Sequence, residues 1–213
     1  MYIKIENYTK VLKHNTILHN VNLEFNSGNI YGIIGSNGSG KSMLLRGIAG
    51  IIHATEGSVI VDNKVLHKDI SFPPDMGIII EKPELLEQLT GLENLKLLAS
   101  IKNKINEEQI IEYMKMFLLE PKEKKVLKKY SLGMKQKIGI IQAIMENPQL
   151  LILDEPFNAL DETSVSILRK LLIKYKDENK LIIITSHHAE DISLLCDNVI
   201  FLQEGRVKEV RNL

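Results

Sequence analysis

Cysteine is almost missing. Cys196 is the only one in 213 residues, so no disulfide can form within the chain. That scarcity fits a reducing compartment and leaves Cys196 to pack as a small buried apolar residue. Charge of one sign is missing too: 27 basic and 27 acidic residues leave a formal net charge of zero. A dedicated nucleic-acid binder carries a basic surplus, so no nucleic-acid partner is expected. No apolar run approaches the roughly 18 residues that span a bilayer. The opening MYIKIENYTK lacks the apolar centre of a secretory signal. Internal repeats and low-complexity tracts are also absent. What these absences leave is a chain with no membrane span of its own, long enough for one domain with a full core. Its 44% hydrophobic content is ordinary for a globular protein.

What the chain does have is clear periodicity. YIKIEN and VNLEF alternate apolar and polar residues, as half-buried strands do. NIYGIIG, MGIII, QLLIL and KLIIIT are short apolar runs that read as buried strands. GSVIVDNKVL predicts a hairpin turning at Asp62–Asn63, and NVIFLQEGRVKEV predicts a terminal one. Helical spacing marks MLLRGIAGII, GLENLKLLASI, NEEQIIEYMKMFLL and SLGMKQKIGIIQAIMEN. Further helices are expected from about Asp161 and from about His188. Asn106 with Gln109 three residues on reads as a capping box. Ser131 reads as an N-cap, and Ile138, Ile141, Gln142 and Met145 form one face of the helix it opens. Strands alternating with helices imply an α/β domain with a largely parallel sheet. The block from about 82 to 148 is almost wholly helical and interrupts it, dividing the chain into 1–81 plus 149–213 and an inserted 82–148.

Two motifs carry chemistry. GSNGSGKS, Gly35 to Ser42, fits G-x-x-x-x-G-K-[ST] with a strand before it and a helix after it. Glycines in such a loop aim successive N–H groups into one concavity that holds phosphate oxygens, and the following helix N-terminus adds partial positive charge. Lys41 reaches the β- and γ-phosphates and the Ser42 hydroxyl ligates Mg²⁺. The nucleotide contacts expected here are Gly35, Ser36, Asn37, Gly38, Ser39, Gly40, Lys41, Ser42 and Met43. LLILDEP then sets Asp154 and Glu155 at the end of an apolar strand, where an open α/β sheet faces its ligand. Asp154 is placed to bind Mg²⁺ or its water shell, and Glu155 to polarise an attacking water.

Four further stretches narrow the choice among nucleotide hydrolases, and with them the whole chain resembles the nucleotide-binding subunit of ATP-binding cassette transporters. YSLGMKQK is similar to that family's signature, Leu-Ser-Gly-Gly-Gln: Ser131 and Gly133 match its serine and second glycine, while Tyr130, Leu132 and Met134 depart from it. The resemblance implies that Ser131 and Gly133 touch the γ-phosphate of ATP held by another subunit. NALD resembles the D-loop, placing Asp161 at the dimer seam. ITSHHAED resembles the switch region, making His187 a γ-phosphate ligand. GIIIEKPELLEQLTGLENL resembles the Q-loop region, with Glu81 standing where the family has glutamine. A carboxylate there still ligates Mg²⁺, and glutamate followed by proline resembles cassettes of peptide-antibiotic and lantibiotic export or self-protection. The family's adenine-stacking aromatic is replaced by Leu12.

The resemblance implies a P-loop NTPase (RecA-like) core, an N-terminal antiparallel β subdomain and an inserted helical subdomain. It implies ATP and Mg²⁺ as cofactors and ATP hydrolysis as the activity, with Lys41, Glu155 and His187 as the catalytic group. Ser42, Asp154 and Glu81 would arrange the metal. It further implies a homodimer or heterodimer, a separate membrane-spanning permease, and a peripheral place on the cytoplasmic face of the membrane. The alternative reading is a cassette ATPase without a transporter, in nucleic-acid maintenance or iron–sulfur assembly. Only about ninety residues separate phosphate loop and signature, too few for the long coiled coil of the maintenance ATPases. The lysines between 122 and 137 read as a solvated face.

Overall fold

The computed structural model describes residues 1–213 except Lys82, Glu84 and His188, and all side chains but those three and that of Ala189. Ten strands and six α-helices are present among the described residues. The N-terminal third opens with β1 (Tyr2–Leu12), β2 (Asn15–Asn26) and β3 (Asn29–Ile34), and α1 (Lys41–Ile48) follows the glycine loop. Next come β4 (Glu56–Val61), β5 (Lys64–Val65) and β6 (Met76–Ile79). Between β6 and β7 the regular elements are helical: α2 (Gly91–Lys102), α3 (Glu107–Met116), one 3₁₀ turn and α4 (Leu132–Ile144). The chain finishes with β7 (Leu150–Leu153), α5 (Glu162–Asp177), β8 (Leu181–Thr185), α6 (Ala189–Leu195), β9 (Asn198–Gln203) and β10 (Arg206–Asn212).

Two sheets result. One is four-stranded and antiparallel, in the order β2-β1-β4-β5. The other runs β10-β9-β3-β8-β7-β6 and is parallel except for the β10 edge. This is the α/β domain with a largely parallel sheet that the periodicity predicts. The expected β4–β5 hairpin turns at Asp62 and Asn63, both left-handed at φ 45° and 65°, the geometry of a two-residue type I′ turn.

Why β7, and β8 as far as Ile184, are apolar follows from the layers. Leu150, Ile152, Leu181 and Ile183 face the antiparallel sheet and α1, within the core of Ile3, Phe25, Leu44 and Leu45. Their neighbours Leu151, Leu153, Ile182 and Ile184 face the helices, within the core of Leu95, Met114, Ile138 and Leu168. A strand covered on both faces has no polar side to show, and each such side chain contributes about 1.5–3 kcal/mol by leaving water. The same argument amends the single stripe expected on α4. Ile138, Ile140, Ile141 and Ile144 are all wholly buried, because α4 packs on β6 as well as on α2 and α3. Both expected N-caps form: Asn106 with Gln109 as a capping box, and Ser131 accepting from the Met134 N–H.

Candidate functional site

Strands β3, β8, β7 and β6 lie side by side in that order and run parallel. Their carboxyl ends therefore share one edge, the place where open parallel sheets bind ligands. The phosphate loop follows β3, His187 follows β8, Asp154 and Glu155 follow β7, and Glu81 follows β6. A cleft of about 730 Å³ opens on this edge. Its walls include Asn37, Gly38, Gly40, Lys41, Ser42, Met43, Glu81, Asp154, Glu155 and His187, together with Ile17, Leu132, Gln136, Asn158 and Ala159. Fold topology thus gathers residues that lie more than 100 positions apart.

The loop is built for an anion. Gly38 and Gly40 are left-handed, at φ 79° and 104°, which turns the backbone inward at no steric cost. Gly40 caps α1 without any side-chain acceptor, so N–H groups at the helix start are open to a ligand. Lys41 is buried, and its ammonium donates to the carbonyls of Gly35 at 2.7 Å and Ser36 at 3.1 Å. An ammonium has three donors, so one is left for phosphate. The buried Ser39 hydroxyl has no partner among the described residues.

The acidic pair is held from two sides. The Ser42 hydroxyl donates to Asp154 Oδ2 at 2.6 Å, and the Thr185 hydroxyl donates to Asp154 Oδ1 at 2.5 Å. The Glu155 N–H donates to Thr185 Oγ1 at 2.8 Å, and Glu155 itself is left-handed at φ 50°. His187 meets the Glu155 carboxylate twice: Nε2 lies 2.9 Å from Oε1, and the backbone N–H donates to Oε2 at 3.3 Å. Burial raises the pKa of Glu155. The charge of His187 and its N–H oppose that rise, and Asp154 adds to it. A carboxylate of this kind suits a general base. Thr185 has no place in the motif reading; only the adjacency of β7 and β8 reveals it.

Glu81, in the expected position after β6, is left-handed at φ 61° and pairs with Arg46 of α1 at 2.9 Å. Both partners are well exposed, so the pair contributes under about 1 kcal/mol and leaves the carboxylate free to exchange partners. Leu12 ends β1 and is 40% exposed, while Ile17 lines the cleft. The expectation for His188 lies outside the described residues.

Ser131 and Gly133 are not among the cleft's lining residues, and Leu132 between them is 63% exposed. Instead, the start of α4 is bound to the loop that follows Glu155. A Cβ on Gly133 would stand 2.5 Å from the Ala159 carbonyl. Gln136 donates to the Pro156 carbonyl at 3.2 Å, and Lys137 pairs with Asp161 at 2.6 Å. Lys137 is buried, so this lysine is not part of the solvated face predicted for 122–137; its stem packs while its charge reaches Asp161. Asp161 also caps α5, accepting from the Ser164 N–H at 2.9 Å.

The hydrogen bond with Lys137, and then that with Ser164, hold the Asp161 carboxyl down at about 2. A depressed pKa contributes stability above the unfolded value of about 3.9, and that contribution is lost as pH falls toward the folded value. Because the side chain is half exposed, screening keeps the ion pair near 1 kcal/mol or less, and the cap adds about 1 kcal/mol. Asp161→Ala is therefore expected to lower Tm by about 3–6 °C at pH 7, with a smaller gap at pH 3. Melts of both proteins across that range test it; a gap independent of pH would exclude the ion pair.

The donor set fits Mg²⁺. Ser42 and Asp154 supply hard oxygens in contact with each other, and Glu81 lies on the same cleft. Among the described residues no cluster of three or more His, Cys, Asp or Glu forms a cage of its own. Few protein oxygens shared with phosphates is the usual arrangement for this ion.

The ABC transporter family profile matches residues 18–158. YybJ of Bacillus subtilis (strain 168), described as an uncharacterized ABC transporter ATP-binding protein, is 46% identical over 206 residues, covering 97% of this chain and 94% of YybJ. The lantibiotic transport ATP-binding protein SrtF of Streptococcus pyogenes is 34% identical, covering 96% of this chain and 88% of SrtF. The dimeric post-hydrolysis structure of the cassette MJ0796 with ADP and Pi superposes with a TM-score of 0.87 at 27% identity, covering 99% of this chain and 98% of that one. The chain belongs to the ABC transporter family. It is an ATP-binding, ATP-hydrolysing subunit of that family rather than a cassette of nucleic-acid maintenance or iron–sulfur assembly.

Proposed function

We propose that two copies of this chain, or one copy and a related one, close on ATP at a shared seam and that hydrolysis reopens them. The observation that carries this reading is the division of the expected site. The phosphate loop, Asp154, Glu155, His187 and Glu81 come to one cleft, whereas the start of α4 reaches that cleft only through Leu132 and Gln136, with Ser131 and Gly133 outside its lining. A monomer then holds two half-sites and no complete one.

Ser42 and Asp154, with Glu81, would hold Mg²⁺. That ion, when bound, supplies charge neutralisation across the phosphate oxygens. Lys41 and the loop N–H groups bind the β- and γ-phosphates. Glu155 accepts the proton of the attacking water, and His187 orients the Glu155 carboxylate and reaches the γ-phosphate. Ser131 and Gly133 of the opposite subunit close the site. Catalysis is then positioning and electrostatic stabilisation, as in other phosphoryl transfers. Leu12 caps the adenine edge without aromatic stacking.

The helical block 82–148 transmits closure to a membrane-spanning permease. Among the described residues no helix is long and apolar enough to cross a membrane, and binding to the permease would hold the chain at a peripheral place on the cytoplasmic face. Likeness to SrtF supports a peptide antibiotic as the cargo class. With the purified chain and MgATP, turnover per chain is expected to rise with protein concentration until the dimer is saturated. A rate per chain unchanged from nanomolar to micromolar protein would overturn the shared-site reading.

A further inference from the structure

We propose that Thr185 is a positioning residue that sets the geometry of both acids in this site, resting on the reading that Asp154 and Glu155 act there. The residue ends β8 and is wholly buried. Backbone pairing between β7 and β8 stops at Leu153–Ile184. Past that point, the Asp154 N–H goes to the Ile79 carbonyl of β6, and the Glu155 N–H has no ladder carbonyl on the β8 side. The Thr185 hydroxyl takes that donor at 2.8 Å and gives its own proton to Asp154 Oδ1 at 2.5 Å.

One hydroxyl therefore does for β7 what the next ladder residue would have done, and grips the metal-site carboxylate as well. A hydroxyl can do both because it is donor and acceptor at once. Its hold on Glu155 matters because that residue is left-handed, at φ 50°, a conformation that costs a non-glycine residue of order 1 kcal/mol or more. Fixing the N–H fixes the turn and aims the carboxylate at His187, two residues beyond Thr185. The other Asp154 oxygen is held by Ser42, so the carboxylate is oriented from β8 and from α1 together. Threonine is branched at Cβ and stiff at χ1, which keeps the hydroxyl aimed.

The test uses the full chain with Thr185→Val, Thr185→Ser and Thr185→Ala, beside wild type and Glu155→Gln. Val keeps the shape and loses both hydrogen bonds. Ser and Ala share the same missing methyl and differ only in the hydroxyl. Thr185→Val is expected to lower kcat at least tenfold, a fraction of what a general base contributes, with KM for ATP within about threefold of wild type. The Mg²⁺ concentration that half-saturates binding of a fluorescent ATP analogue is expected to rise several-fold, a readout independent of turnover. Ser is expected to restore both quantities and Ala to restore neither, which decides the matter even where Val fails to fold. Equal kcat and Mg²⁺ dependence for Ser and Ala would overturn the proposal. If Glu155→Gln is inactive while Val and Ala match wild type, only the role of Thr185 falls. If Glu155→Gln itself turns over normally, the underlying assignment of the base falls instead.

Discussion

Glu155→Gln is expected to bind ATP with nearly wild-type affinity and to lose about 10²- to 10⁴-fold in kcat, the usual contribution of a positioned general base. The amide keeps the shape of the side chain, so the left-handed turn and the Thr185 contact survive. What goes is the ionised oxygen facing His187. Because burial raises the pKa of this carboxyl, the wild-type kcat/KM profile should fall on its acid side at a pH above the ordinary glutamate range of about 4.3. The residual activity of the variant should lack that limb. ATP should also accumulate an undissociated dimer, since binding persists without the step that releases it. Steady-state assays, a pH series and gel filtration with MgATP check the three parts. Near-wild-type turnover in the variant would remove Glu155 from the role of base.

Ser131→Arg is expected to have the second large effect, and in the opposite place. The serine caps α4, accepting from the Met134 N–H at 3.2 Å, and is exposed beside the exposed Leu132. Losing the cap costs about 1 kcal/mol, too little to unfold a domain of this size. A monomer should thus bind nucleotide normally. If the α4 start closes on a second chain's phosphates, a bulky guanidinium there blocks closure. In a Glu155→Gln background, which should otherwise trap the dimer, the double variant is expected to elute as monomer with or without ATP. An ATP-induced dimer of the double variant would remove Ser131 from the seam.

The individual strands and the motifs were legible for a shared reason: each is written in consecutive residues. Gly35–Ser42 is one loop, Asp154–Glu155 ends one strand, and the doubly covered strands show as unbroken apolar runs. The pairings that hold the site were not legible, because they join residues far apart in the chain. Thr185 meets Asp154 and Glu155 across two strands. Lys137 meets Asp161, and Arg46 meets Glu81, across turns of chain that no spacing rule links. Gly133 illustrates the point most sharply. Its match to the signature explains it by a phosphate on another subunit, while the fold supplies a second reason, the Ala159 carbonyl pressed against it. Ile17 was missed as a wall of the cleft because an aliphatic residue in a strand announces nothing beyond burial.

The place of β3 in its sheet has a consequence for how the chain is made. Among the described residues this strand pairs with β8 on one side and β9 on the other, both translated about 150 residues after it. At ribosomal speeds of about 5–20 residues per second, the strand leading into the phosphate loop waits on the order of ten seconds for its first neighbour. Until then its backbone N–H and C=O groups have no ladder partner, although Tyr31 and Ile33 share a core with Phe25 and Leu44, and such late, long-range parallel pairing is slow and exposed to aggregation. Nascent chains that stall before β8 should therefore be unable to retain ATP, however complete their loop, and should depend on chaperones for that interval.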